Sequence, residues 1–254
     1  MFRHQGKSRT LKHNLRLATA LSFVAGTVNV TGFLAINHLT TNVTGHFALF
    51  INELANYDVW KGAIYFLYIF SFLLGSFTSS LLIEKFKETK KLNVFVIPTT
   101  IESIILIAIP VLNYLGFVKS ADVIACMLLF SMGLQNSYVT KISNTVVRTT
   151  HLTGLFTDLG IELSQLFFPK RHPDIHKIKS TIKLRLYIIC FFFLGGLFGG
   201  FLYSRLDMKL NTLIVGAIIL MATLFYDNFR HQWLIIRRKR KQKNPLKKPE
   251  RIYT

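Results

Sequence analysis

One polar pattern, Thr-Thr-x-x-Thr-Gly, occurs twice in this chain, at residues 40–45 and 149–154, and it is the feature best equipped to do chemistry. A threonine hydroxyl can accept from the free amides of a helix's first turn, and glycine lets backbone approach closely or turn sharply. A short helix starting here would aim unpaired amides and the positive end of its dipole at whatever space it faces. Such a space favours an anion or a carboxylate group. The alternative is that these residues only cap the helix and satisfy backbone that lipid cannot. Their repetition favours a binding site.

The two copies belong to a longer register. Thr40-Thr41-Asn42-Val43-Thr44-Gly45-His46-Phe47, running on to Glu53-Leu54, aligns with Thr149-Thr150-His151-Leu152-Thr153-Gly154-Leu155-Phe156, running on to Glu162-Leu163, at an offset of 109. Seven of the fifteen positions are identical. Upstream, Gly26-Thr27-Val28-Asn29 matches Gly133-Leu134-Gln135-Asn136 at offset 107; downstream, Gly75, Ser76, Ser79 and Ser80 fall opposite Gly195, Gly196, Gly199 and Gly200 at offset 120. Three matches in one order mark an internal duplication of residues 17–118 and 121–226.

The candidate solute-binding residues are therefore Asn29, Thr41, Asn42, Thr44, Gly45 and His46 from the first copy, with Gln135, Asn136, Thr150, Thr153 and Gly154 from the second. Asn29 and Asn136 sit within apolar runs, where an amide needs a partner from a neighbouring helix or a solute. Gln135 projects about 100° away from Asn136 around the same helix and can serve another contact. Glu53, Asp158 and Glu162, with Glu102, are the acids at apparent membrane depth, where a carboxylate is expensive. Glu53, Glu162 and Asp158 are the candidates for proton or ion coupling, and both His46 and His151 could titrate near neutrality. The Gly195–Gly200 run carries small-xxx-small spacings that suit close helix packing, either against the equivalent residues 75–80 within the chain or across a homodimer. No Lys-Ser or Lys-Thr follows it, so it is not a phosphate loop.

These residues need elements to hold them, and the composition says which kind. Half the chain is apolar (51%), with 23 Phe and only 17% charged residues. Six charge-poor runs, at 17–36, 63–83, 93–118, 121–139, 186–204 and 210–226, approach or exceed the length of about 20 residues that a bilayer core requires. Two shorter segments, 44–56 and 153–168, each begin at a Thr-Gly motif. The net charge of +19 comes from 31 Lys and Arg residues that lie in the loops and tails. No aromatic residues are interleaved with them as a base-stacking surface would require, so no nucleic-acid partner is expected.

If the short segments re-enter without crossing, all basic residues except Lys61, Lys119, Arg205 and Lys209 fall on one side. That satisfies the positive-inside rule with both termini cytoplasmic. The expected fold is an all-α integral membrane protein with six transmembrane helices plus two short re-entrant or broken helices. These form two inverted repeats of three spans each, at 17–118 and 121–226, between a basic N-tail (1–16) and a basic C-tail (230–254). The tails are expected to lie along anionic lipids of a bacterial inner membrane.

No nucleophile with a base at readable spacing, metal-ligand cluster or nucleotide fingerprint is present. Pro173 also argues against a helix presenting His172 and His176 to one metal. The chain is expected to be no enzyme and to use no cofactor or metal. A secondary transporter or permease for a small solute is the leading function, and a non-transporting membrane scaffold or assembly factor is the alternative.

The combination of Ala25-Gly26-Thr27-Val28-Asn29 and Asn42-Val43-Thr44-Gly45-His46 with Met132-Gly133-Leu134-Gln135-Asn136 and Thr149-Thr150-His151-Leu152-Thr153-Gly154 resembles the YoaK-like bacterial membrane proteins, the domain of unknown function 1275. The resemblance covers nearly the whole chain between the basic tails. It implies a multi-span inner-membrane protein of transporter type with no assigned substrate. Many members carry Asp where this chain has Asn29, and Asn where it has His46. If that Asp carries protons, coupling here would fall to Glu53, Glu162 or His46, or be absent.

Overall fold

In the computed structural model, residues 10–87, 94–143 and 145–225 are described. They form eight helices: α1 (Leu11–Ile36), α2 (Val43–Ala55), α3 (Val59–Phe86), α4 (Val96–Tyr114), α5 (Ala121–Ser143), α6 (Leu152–Leu166), α7 (Ile175–Ser204) and α8 (Lys209–Phe225). No strand occurs among the described residues. α1, α3, α4, α5 and α7 are long and apolar enough to cross a membrane, whereas α8 is apolar but shorter over its described length. The sixth expected span is thus present as a helix without meeting the length of the other five. The C-tail, and the N-tail up to residue 9, lie outside the described residues.

Local chemistry sets the helix ends. Asn37 adopts a left-handed conformation (φ 55°) that stops α1, and Asp58 caps α3 by accepting from the Lys61 amide at 3.1 Å. α1 and α7 both begin earlier than their apolar runs, at Leu11 and Ile175. Those first turns carry Lys and Arg, good helix formers that end an apolar run without ending a helix.

α1 and α5 form the centre. Leu17, Leu21, Val24 and Val28 of α1, with Ile124, Leu128, Met132 and Tyr138 of α5, are fully or almost fully buried. α3 and α7 flank this pair and turn Leu73, Phe77, Phe193 and Leu197 outward, an apolar exterior suited to hydrocarbon.

The expected meeting of the two small-residue faces does not occur. The α7 glycines pack on α1, and the α3 face packs on α5. A Cβ added at Gly195 would stand 2.0 Å from the Phe23 carbonyl oxygen, and one at Gly26 2.0 Å from that of Phe192. Between α3 and α5 the same approach recurs: Gly75 on Phe130 O at 2.0 Å and Gly133 on Phe72 O at 2.2 Å. Each pair maps onto the other at the sequence offsets, since Gly26 and Phe23 correspond to Gly133 and Phe130, and Phe72 and Gly75 to Phe192 and Gly195. All four faces carry the same Phe-x-x-Gly pattern, and in each crossing the glycine of one helix fits the Phe carbonyl of the other in both directions. Thr27 Oγ1 donates to Gly195 O at 3.0 Å and Ser76 Oγ to Gly133 O at 3.1 Å, closing both crossings.

The contacts also fix helix direction. Along α1 and α7 they advance together, from Phe23 with Gly195 to Leu34 with Tyr203. Along α3 and α5 they advance together too, from Tyr68 with Asp122 to Glu84 with Lys141. Between α1 and α5 they run oppositely, because Leu21 meets Gln135 and Gly32 meets Leu128.

Candidate functional site

The short helices α2 and α6 begin at the two polar motifs, but threonine does not cap them. Asn42 is the N-cap of α2 and accepts from the Gly45 amide at 3.1 Å. His151, at the equivalent position, is the N-cap of α6 without a side-chain cap bond. Its ring lies over Gly154, where a Cβ would come within 2.3 Å of it. The threonines are freed for other work. Thr41 Oγ1 donates to Asn29 Oδ1 at 2.8 Å, and Thr150 Oγ1 donates to Asn136 Oδ1 at 2.9 Å. Each short helix is therefore tied by its entry to the spanning helix of its own half, in the same way. Thr44 and Thr153 occupy the second position of their helices.

Both tips open on one cavity of about 1010 Å³. Asn29, Thr41, Asn42, Thr44 and Gly45 line it from the first copy, and Asn136, Thr150, Thr153 and Gly154 from the second. Phe72 and Phe192, the residues whose carbonyls receive the glycines, form matched walls. The Thr41 and Thr150 hydroxyls and the Asn136 amide, which donates to Met132 O at 2.9 Å, are spent within the protein, so the Thr44 and Thr153 hydroxyls at the helix tips are the donors of the motifs left to a solute. Among the described residues of that lining Arg148 is the single Lys, Arg, Asp or Glu.

Two expected residues turn away. His46 is buried and donates Nε2–H to the Leu39 carbonyl at 2.7 Å, with its ring against Tyr65 and Tyr68 of α3. Gln135 is buried between the central helices and donates to Leu21 O at 2.7 Å. It fastens α5 to α1 and does not line the cavity.

The acids also lie off the large cavity. Glu53 is near the far end of α2. Glu162 accepts from Arg185 Nε and Nη2, both at 2.9 Å, and Asp158 accepts from Nη1 at 2.8 Å. The guanidinium thus engages both oxygens of Glu162 in a bidentate contact. Among the described residues the equivalent Glu53 has no such partner, and Tyr65 stands where the second half has Arg185. The two equivalent acids therefore do not share a partner. Glu102, fully buried on α4, accepts from the Tyr138 hydroxyl at 2.7 Å.

Sequence reasoning missed Arg148, Thr140, Thr157 and the two Phe walls. Arg148 could have been found: it immediately precedes the second motif at the position equivalent to Leu39, and both line the cavity. A charge present in only one of two duplicated copies is the signal.

The family described as "Protein of unknown function (DUF1275)" matches residues 17–226. The chain is similar to the UPF0700 transmembrane protein YoaK of Bacillus subtilis (strain 168), with 24% identity over 180 residues, covering 69% of this chain and 78% of that relative. No solved structure matches it significantly. A transmembrane relative, together with several long apolar helices, identifies a multi-pass membrane protein.

Proposed function

The chain belongs to the DUF1275 family, and from that premise we propose that it is a secondary transporter or permease for a small anionic or carboxylate-bearing solute. The observation that carries this reading is the single cavity lined at once by Asn29, Thr41 and Thr44 and by Asn136, Thr150 and Thr153. A chamber faced by two helix N-termini, whose described lining holds Arg148 and no acid, favours negative charge.

The architecture that goes with it has six crossings, two re-entrant helices and two inverted repeats. The helix directions support it. α1 opposes α5, while α3 follows α5 and α7 follows α1, so α1 and α3 run oppositely and so do α5 and α7. Had α2 or α6 crossed the bilayer alone, those neighbours would run the same way. Equivalent helices pointing in opposite directions are related by an axis in the membrane plane, the arrangement in which paired broken helices meet at mid-depth. Alternating exposure would come from one repeat tilting against the other about the α1–α5 contact. The distribution of Lys and Arg supports both termini on the cytoplasmic face of the bacterial inner membrane, with the basic tails against anionic lipid.

Thr44→Val with Thr153→Val removes one cavity hydroxyl from the tip of each short helix at constant volume. Two lost hydrogen bonds of about 1 kcal/mol each predict a roughly tenfold or greater fall in uptake. Uptake is measured in proteoliposomes challenged with a panel of small carboxylates and inorganic anions. The melting temperature should stay at the wild-type value. Uptake unchanged by the double substitution, or no anion carried by the wild type, would refute the reading.

A further inference from the structure

A second cavity, of about 360 Å³, lies between α6 and α7 and shares Arg148, His151 and Gly154 with the large one. Arg185 and Asp158 also line it. Two guanidinium groups and one carboxylate therefore face a space large enough for a small anion.

The two carboxylates on Arg185 are not held alike. Glu162, 13% exposed, takes the guanidinium's Nε and Nη2 in a fork-on-fork contact. Asp158, 51% exposed, takes only Nη1, through one oxygen. The first contact is shielded and geometrically ideal, whereas the second is an exposed single bond of the kind that solvent and salt weaken. Arg148 is exposed and has no ion pair among the described residues. It stands in the lining of both cavities, so an anion in either can reach it.

We propose that the smaller cavity is a binding station for a small oxyanion or carboxylate, held between Arg148 and the Nη1 edge of Arg185. Asp158 is the resident anion that the incoming group displaces. Glu162 stays in place and keeps the Arg185 fork oriented, so exchange costs one weak contact and leaves the buried pair intact. Arg185 is already oriented in the absence of ligand, which lowers the cost of binding. The station rests on the transport reading only in that the two cavities then form one path, with Arg148 passing the solute between them. The chemistry it recognises is that of inorganic phosphate or of a phosphate headgroup.

Binding of radiolabelled inorganic phosphate to the purified full-length protein, in phosphatidylcholine nanodiscs, tests this. Asp158→Asn, which removes the internal competitor, should tighten binding about tenfold. Arg148→Gln should weaken it by a similar factor, with melting temperatures of both variants near the wild type. Binding that is unaltered in either variant, or absent from both wild type and Asp158→Asn, overturns the proposal. Repeating the titration in phosphatidylglycerol discs separates the sources. Competition by that lipid assigns the station to a headgroup, and undiminished binding assigns it to the free anion. No gradient is involved, so a failure here is distinct from a failure of the uptake experiment.

Discussion

Alanine at Gly26, Gly75, Gly133 or Gly195 is expected to destabilise the protein by about 3 kcal/mol or more per site, measured by thermal unfolding in detergent. The reason is what the new methyl meets. At each position it would stand 2.0–2.2 Å from a backbone carbonyl oxygen of the neighbouring helix. Backbone cannot rotate away as a side chain can, so the helices themselves must separate. That separation would also break the hydroxyl-to-carbonyl bonds of Thr27 and Ser76. In lipid, where apolar surface alone does not drive helices together, close backbone contact supplies much of the association. Controls lie nearby. Gly160 has nothing within 4 Å of an added Cβ, and Gly200 has only Val30 Cγ1 at 3.5 Å. Alanine at either should be neutral or slightly stabilising, since it is the better helix former.

The second large effect is expected at Arg185. Changing Arg185→Gln leaves Glu162, only 13% exposed, as a carboxylate without its cation. Removing one partner of such a pair costs about 3–5 kcal/mol, most of it the stranded charge. Adding Glu162→Gln should recover most of that loss, because two amides can bond to each other without a charge to desolvate. A simple packing role for Arg185 would show no recovery. By contrast Glu84→Gln, at the Glu84–Lys141 pair whose Glu is 56% exposed, should leave the melting temperature close to the wild-type value.

Much of this organisation was legible in the sequence, for particular reasons. The duplicated register placed Gly26 with Gly133 and Asn29 with Asn136, and the structure gives each pair equivalent partners. Hydropathy located the helices because lipid contact demands apolar side chains, yet it clipped α1 and α7, whose hydrogen-bonded backbone continues past the hydrocarbon into basic residues. The identity of the caps was not legible. Asn42 and His151 sit between threonines that cap well, and only the backbone path decides which residue stands at the N-cap. His46 was expected in the cavity because it adjoins the motif. One residue beyond Gly45, helical rotation turns it onto the aromatic rings of α3. The small-residue faces misled for a different reason: all four helices carry the same Phe-x-x-Gly pattern, so any two could pair, and the pattern does not say that α1 takes α7 and α3 takes α5.

The claim on which the rest depends is that the tips of α2 and α6 share one water-accessible cavity. Single cysteines at Thr44 and Thr153, in a background of Cys126→Ala and Cys190→Ala, allow it to be tested with a polar thiol reagent. The account predicts that both label readily, and that a bulky adduct at either one slows labelling of the other when the two are combined. Cysteines that resist the reagent, or that react without regard to each other's modification, would contradict it.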